Sequence, residues 1–211
     1  MIPSEKEMYS ACEQKHGKEA QKAFSEATVA ICGLGGLGSN VAVMLARAGI
    51  GKLILIDFDR VDITNLQRQQ YKACQTGEYK ADALKANLLE IAPYANYKTH
   101  TLRITEDNFY SLLSPADIIV EAFDNAEAKA MLVNNALEAF PEKYIVTASG
   151  MAGIASGNMI KTRKLTSKLY LCGDSVSGVE DGLGLYSARV AMCASHEALA
   201  VLRILIGEYE A

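Results

Sequence analysis

ATVAICGLGGLGSN, residues 27–40, decides how this chain is read. A β-prone run, Thr28 to Cys32, leads straight into glycines at 33, 35 and 38 in the spacing G-x-G-x-x-G, with a further glycine at 36. Glycines so placed allow a tight turn, a close approach of backbone to phosphate, and close packing of the following helix on its strand. SNVAVMLARAGI (39–50) has helical composition and closes at Gly49 and Gly51, and KLILID (52–57) is a second strand ending in an acid. Residues 28–57 therefore form one βαβ unit, which requires a parallel sheet. Asp57 stands about 20 residues past the turn, where a carboxylate accepts ribose hydroxyls. The motif alone leaves open a dinucleotide, a nucleotide about to be broken, or a glycine turn that binds nothing with Asp57 as a solvated turn residue.

Outward from this unit the alternation continues. Helix is expected over 78–93, strand over 99–104, a short helix over 106–114 stopped by Pro115, strand over 117–123, helix over 126–140 and strand over 143–149. This pattern predicts an α/β fold, a doubly wound, mostly parallel, Rossmann-like sheet with helices on both faces. After Gly150 the short runs NMIKTRKL and KLYLC lie too close for a crossover helix and predict an antiparallel extension. A loop over 175–184 and a helix over 186–206 follow, and residues 4–25 read as a surface helix. The expected organisation is a single domain over 1–211, with a helical arm at 1–26, a nucleotide-binding core at 27–150 and the extension, loop and last helix at 151–211.

Composition narrows the function. The net charge of −4, with no basic cluster, argues against a nucleic-acid partner. The cysteines at 12, 32, 74, 172 and 193 are odd in number, scattered and never C-x-x-C, which suits a reducing compartment and predicts no zinc site. The charged N-terminus lacks the apolar core of an export signal, and 187–206 is too polar for a lipid span; a cytoplasmic protein without membrane partners is expected.

Residues 58–77, FDRVDITNLQRQQYKACQTG, form a polar connection longer than a strand-to-helix turn needs. A dehydrogenase has no use for Asn65, Arg68 and Gln69 beside the ribose acid. A triphosphate under attack does, because its developing charge must be met by fixed cations, and the arginine fork suits phosphate oxygens. Arg68 is then a candidate for transition-state stabilisation and Lys80 for holding the leaving phosphates. Each alone reads as a surface charge; together they favour the triphosphate.

GLGGLGSN, LIDFDRVDITNLQRQQY, a lysine just past Gly77 and VEAFDN (120–125) resemble the adenylating domain of the ThiF/MoeB/HesA family, related to ubiquitin-activating enzymes, over about residues 27–150. The resemblance implies that Gly33, Gly35, Gly36, Gly38, Asp57, Asp59 and Gln69 bind ATP, that Asn65, Arg68 and Lys80 contact phosphates, and that Asp124 positions Mg²⁺. Read from the sequence alone, Asp124 is also a candidate cap for helix 126–140. The implied reaction is adenylation of the C-terminal glycine carboxylate of a ubiquitin-like, ThiS-like sulfur carrier ending in Gly-Gly, with pyrophosphate released, in thiamine biosynthesis and by a homodimer. Competing readings are an NAD-dependent oxidoreductase, a non-catalytic nucleotide- or partner-binding relative, and a dehydratase-like member acting on modified tRNA.

The chain departs from that pattern. The paired zinc cysteines of many members are missing, which fits a shorter ThiF-like subgroup. EQKHGKEAQ stands where relatives carry an arginine-bearing segment that serves the partner subunit, with His16 or Lys15 as substitutes. Cys172 in YLCGD is the one cysteine near a loop facing the product, though Asp174 beside it opposes a reactive thiolate. Cys32, Cys193 and His196 read as packed core residues, and Met151 and Met159 as packing or the lining of a tail channel.

Overall fold

The computed structural model describes residues 2–211. β1 (Thr28–Cys32) is the third strand from one edge of a seven-stranded sheet. The strands added after it are β2 (Lys52–Ile56), β3 (Asn96–His100), β4 (Ile118–Glu121), β5 (Tyr144–Ala148), β6 (Lys161–Lys164) and β7 (Leu169–Gly173). Their order is β3-β2-β1-β4-β5-β7-β6, parallel throughout except for β6 against β7.

Alternate residues of the central strands feed two cores. Val29, Ile31, Leu53, Leu55, Val120 and Val146 point to the face covered by α3 (Gly36–Arg47), α4 (Lys80–Ile91) and α7 (Ser187–Leu205). Ala30, Cys32, Ile54, Ile56, Ile119 and Ile145 point to the face covered by α5 (Phe109–Leu113) and α6 (Ala126–Ala139). Burial on both sides is what turns these strands into continuous apolar runs. The chain runs outward from β1 through β2 to β3 and then returns to place β4 on the other side of β1, so a crevice opens beyond the carboxyl ends of β1 and β4.

Three local expectations shift. The N-terminal helix is two, α1 (Glu5–His16) and α2 (Lys18–Glu26), because Gly17 adopts a positive φ of 87°. The strand expected over 99–104 lies earlier, at 96–100: pairing ends where β2 ends, Ile56 opposite His100, and the chain beyond peels away over the crevice. The extension is antiparallel only between β6 and β7, since β7 itself runs parallel to β5. No helix of the described residues is long and apolar enough to cross a membrane.

Candidate functional site

The glycine turn closes because two side chains are missing. Gly33 has φ 90°, and a Cβ there would lie 2.8 Å from the Ala122 carbonyl oxygen. A Cβ on Gly38 would lie 1.9 Å from the carbonyl oxygen of Gly33. No side chain caps the first turn of α3, which begins at Gly36, so its amides are left for an anion. The turn is braced from below: Leu34 donates its N–H to Asp57 Oδ2 at 2.6 Å, and the Tyr71 hydroxyl donates to the Leu34 carbonyl at 2.7 Å.

Asp57 follows β2 and is buried, with Oδ1 accepting the Asp59 amide at 2.8 Å. Burial pushes its carboxyl above the ordinary value, against the pull of the Lys80 charge and of the Asp59 and Leu34 amides. Lys80, the first residue of α4, is buried to its ammonium and pairs with Asp59 at 2.9 Å. In the polar connection, the Asp62 side chain accepts the Thr64 amide and opens a single 3-10 turn over Ile63–Asn65. That turn presents Asn65 and Arg68 on one side. Arg68 donates to the Thr64 carbonyl at 3.2 Å, and its Cγ and Cδ lie 3.6 Å from where a Gly36 Cβ would stand, so its stem runs along the glycine turn. Gln69 is buried and its Oε1 has no hydrogen-bond partner.

These residues surround one cavity of about 690 Å³. Gly33, Gly35, Gly36, Asp57, Asp59, Asn65, Arg68, Gln69, Lys80 and Asp124 all line it; Gly38 does not, and acts through packing. Asp124 is exposed at the turn after β4 and is not the cap of α6; that role belongs to Asn125, which accepts the Ala128 amide at 2.8 Å. Met151 also lines the cavity, and Met159 does not.

Other lining residues carry no local signal in the sequence. Phe58, Leu102, Arg103 and Ile104 close one end, with the Arg103 guanidinium 4.8 Å from the centre of the Phe58 ring. Leu185 and Val190 close the other beside Met151, and Gln67 ties the loop before α7 to the site by donating to the Leu185 carbonyl at 3.0 Å. Behind that wall Arg189 and Asp174 form a buried pair at 2.5 Å. Cys172 is buried, and burial with the nearby Glu197 charge pushes its thiol up to about 12, far from a reactive thiolate. His196 bonds Thr162 Oγ1 at 2.9 Å, and His16 bonds Gln21 at 2.8 Å; both lie away from the cavity.

Comparison with known proteins places this architecture. The ThiF family profile matches residues 9–211. The chain is 30% identical over 199 residues to the adenylyltransferase and sulfurtransferase MOCS3 of Aedes aegypti, covering 90% of this chain and 44% of that protein. It is 40% identical over 138 residues to ubiquitin-like modifier-activating enzyme 5 of Caenorhabditis elegans, covering 60% of this chain and 32% of that one. The chain thus spans less than half the length of either. Among solved structures, the E. coli tRNA N6-threonylcarbamoyladenosine dehydratase TcdA in complex with ATP superposes with a TM-score of 0.87 at 22% identity, over 99% of this chain and 98% of that one. E. coli MccB with AMPCPP and MccA superposes with a TM-score of 0.71 at 25% identity, over 99% of this chain and 67% of that one. With a family profile that runs across nearly its whole length and a sheet shared with these enzymes, the chain belongs to the ThiF family.

Proposed function

We propose that this chain is a single adenylation domain that consumes ATP to activate the C-terminal glycine carboxylate of a ubiquitin-like sulfur carrier. The observation that carries the reading is the buried Gln69, its Oε1 unpartnered, in one cavity with the glycine turn, Asp57, Asn65, Arg68 and Lys80. An orphaned polar atom in such a cradle calls for a polar ligand. The carrier is ThiS-like and ends in Gly-Gly, and the pathway is thiamine biosynthesis, carried out in the cytoplasm by a homodimer. The name of ubiquitin-like modifier-activating enzyme 5 supports a substrate of the ubiquitin-like kind, and that of the adenylyltransferase and sulfurtransferase MOCS3 supports adenylyl transfer in a sulfur-handling reaction.

The carboxylate attacks the α-phosphorus of ATP, the bond to the bridging oxygen breaks, and pyrophosphate leaves with that electron pair, giving an acyl adenylate. No general base is needed, because the nucleophile is ionised near pH 7. No histidine lines the cavity, in keeping with that. Catalysis then reduces to positioning and charge stabilisation. The first turn of α3 holds phosphate oxygens, Asp57 accepts the ribose hydroxyls, Arg68 meets the charge that builds at the α-phosphate, and Lys80 exchanges Asp59 for the leaving pyrophosphate. Asp124, an exposed carboxylate on the cavity wall, would hold Mg²⁺, an ion that binds through one or two carboxylates plus substrate phosphates and water. Such an ion would supply charge neutralisation at the phosphates.

Carrier-dependent exchange of labelled pyrophosphate into ATP, with candidate proteins ending in Gly-Gly, tests the proposal. Exchange with one of them is expected. ATP binding without exchange from any carrier would point to a binding relative, nicotinamide binding to an oxidoreductase, and turnover of an RNA-linked carboxylate to a dehydratase-like enzyme.

The pH dependence of nucleotide binding is a second expectation. The ionised Asp57 is the form that accepts ribose hydroxyls, and its pKa in the fold is raised, so ATP affinity holds above that value and falls as pH drops through it, beginning above pH 3.8. Asp57→Asn is expected to weaken ATP about 10–100-fold and to abolish this acid limb, as a charged hydrogen-bond acceptor is lost. Isothermal titration across pH 4–7 on both proteins checks it; an unchanged limb in the variant would remove Asp57 from the ribose site.

A further inference from the structure

Glu121 closes β4 and is fully buried, yet it is a carboxylate in a strand otherwise made of Ile and Val. Both of its oxygens are used. Oε1 accepts the Phe123 amide at 2.7 Å, and Oε2 accepts from Lys129 of α6 and from the Thr147 hydroxyl of β5. One side chain therefore joins the end of β4, the neighbouring strand, the following helix and the turn between. That turn, residues 122–125, carries the Ala122 carbonyl against which Gly33 packs, the Phe123 ring and Asp124, all on the cavity wall.

We infer that Glu121 is a positioning residue for adenylation, fixing the turn after β4 so that Asp124 is held at the phosphates. The inference rests on the adenylation reading above. A strand end needs no charge to stay buried, and a buried ion pair is weak support for stability. A single arrangement of the turn is what these bonds secure. The Ala122 amide is tied to the Cys32 carbonyl at 2.8 Å and the Phe123 ring packs on the core, but beyond them Asp124 and Asn125 are exposed and the α6 cap bond starts only at Asn125. Without the carboxylate the Phe123 amide loses its partner, the Lys129 ammonium is left half-buried, and the turn is free to sample positions that carry Asp124 off the phosphates.

Glu121→Gln keeps the shape but has a single acceptor oxygen, so it cannot serve the Phe123 amide as well as Lys129 and Thr147, and Lys129→Met removes the cation from a site with some solvent access. Each is expected to speed hydrogen exchange at amides 122–125 without affecting the body of β4, and to leave ATP affinity near the wild-type value. Turnover in the pyrophosphate exchange assay is expected to drop about 10–100-fold, the range for partners that orient a ligand-bearing group. Lys129→Arg, which keeps the charge, should retain activity. Because Glu121 acts through Asp124, the double variant Glu121→Gln/Asp124→Asn should be no slower than Asp124→Asn alone. Additive losses, or a lowered melting temperature with unchanged turnover per folded molecule, would overturn the inference. If the wild type itself shows no pyrophosphate exchange, the adenylation reading falls, whereas the positioning of the turn is still decided by whether ATP protects amides 122–125 in the wild type and fails to do so in Glu121→Gln.

Discussion

Arg68→Ala is expected to lower carrier-dependent pyrophosphate exchange by about 100–1,000-fold, the loss seen when one fixed donor to developing charge is removed. ATP affinity should fall far less. The stem of Arg68 lies along the glycine turn, and among the described residues its guanidinium donates to the Thr64 carbonyl alone, at 3.2 Å, so the fork has donors to spare for phosphate oxygens. Five N–H groups on a planar cation can follow the charge as it gathers on the phosphorus centre, which an ammonium cannot do with the same geometry. Arg68→Lys should therefore recover only part of the rate. The check is the split between kcat and the ATP Kd: an interaction stronger in the transition state lowers kcat, whereas one made equally in the ground state weakens binding. Equal losses in both would reduce Arg68 to a nucleotide anchor, and unchanged exchange would remove it from the site.

Arg189→Ala is expected to cost about 3–5 kcal/mol of stability, the range for deleting one partner of a buried ion pair. At about 2–4 °C per kcal/mol for a chain of this size, the melting temperature should fall by roughly 6–20 °C. Arg189 is 4% exposed. Its guanidinium donates to Asp174 at 2.5 Å, to the Ser156 carbonyl at 2.9 Å and to the Ala155 carbonyl, so its loss leaves a buried carboxylate without its cation and the Ala155 carbonyl without this donor. For Asp174, burial acts to raise the carboxyl, but the Ser177 and Val176 amides, the Ser177 hydroxyl and Arg189 outweigh it and hold the group at about 2. A depressed carboxylate contributes stability that is present above its ordinary value of 3.8 and is lost as pH falls toward 2. Asp174→Asn should lose that acid-dependent step in denaturant unfolding followed from pH 5 to 2. A loss below about 1 kcal/mol for Arg189→Ala would rank the pair with exposed ones and contradict its burial. Because Val190, next in the chain, lines the cavity, the same variant should also weaken nucleotide binding.

How much of this was legible beforehand differs by element. The strands at 28–32, 117–123 and 143–149 were readable because a parallel strand covered on both faces must be apolar at every position, as β1, β4 and β5 are, their exceptions being strand-end residues and Thr147. β3 was misplaced for the opposite reason. It is an edge strand with only Tyr97 fully turned inward, and Asn96 and Lys98 in solvent erase the apolar signal. The break between α1 and α2 was missed because one glycine in a helical composition carries little weight until its φ is known.

Sequence alone determined the βαβ unit, the doubly wound class and the residues of the glycine turn and polar connection, because those depend on periodicities and spacings within about one helix-plus-strand length. Tertiary structure decided the rest. It set Phe58 beneath Arg103, put Leu185 and Val190 at the far end of the cavity, joined Glu121 to Lys129 and Thr147, and gave the α6 cap to Asn125 rather than Asp124. Most of these meetings join segments far apart in the chain, and the cap turns on one residue of register. Which side chains meet there follows from how strands and helices pack, a distance that local composition does not encode.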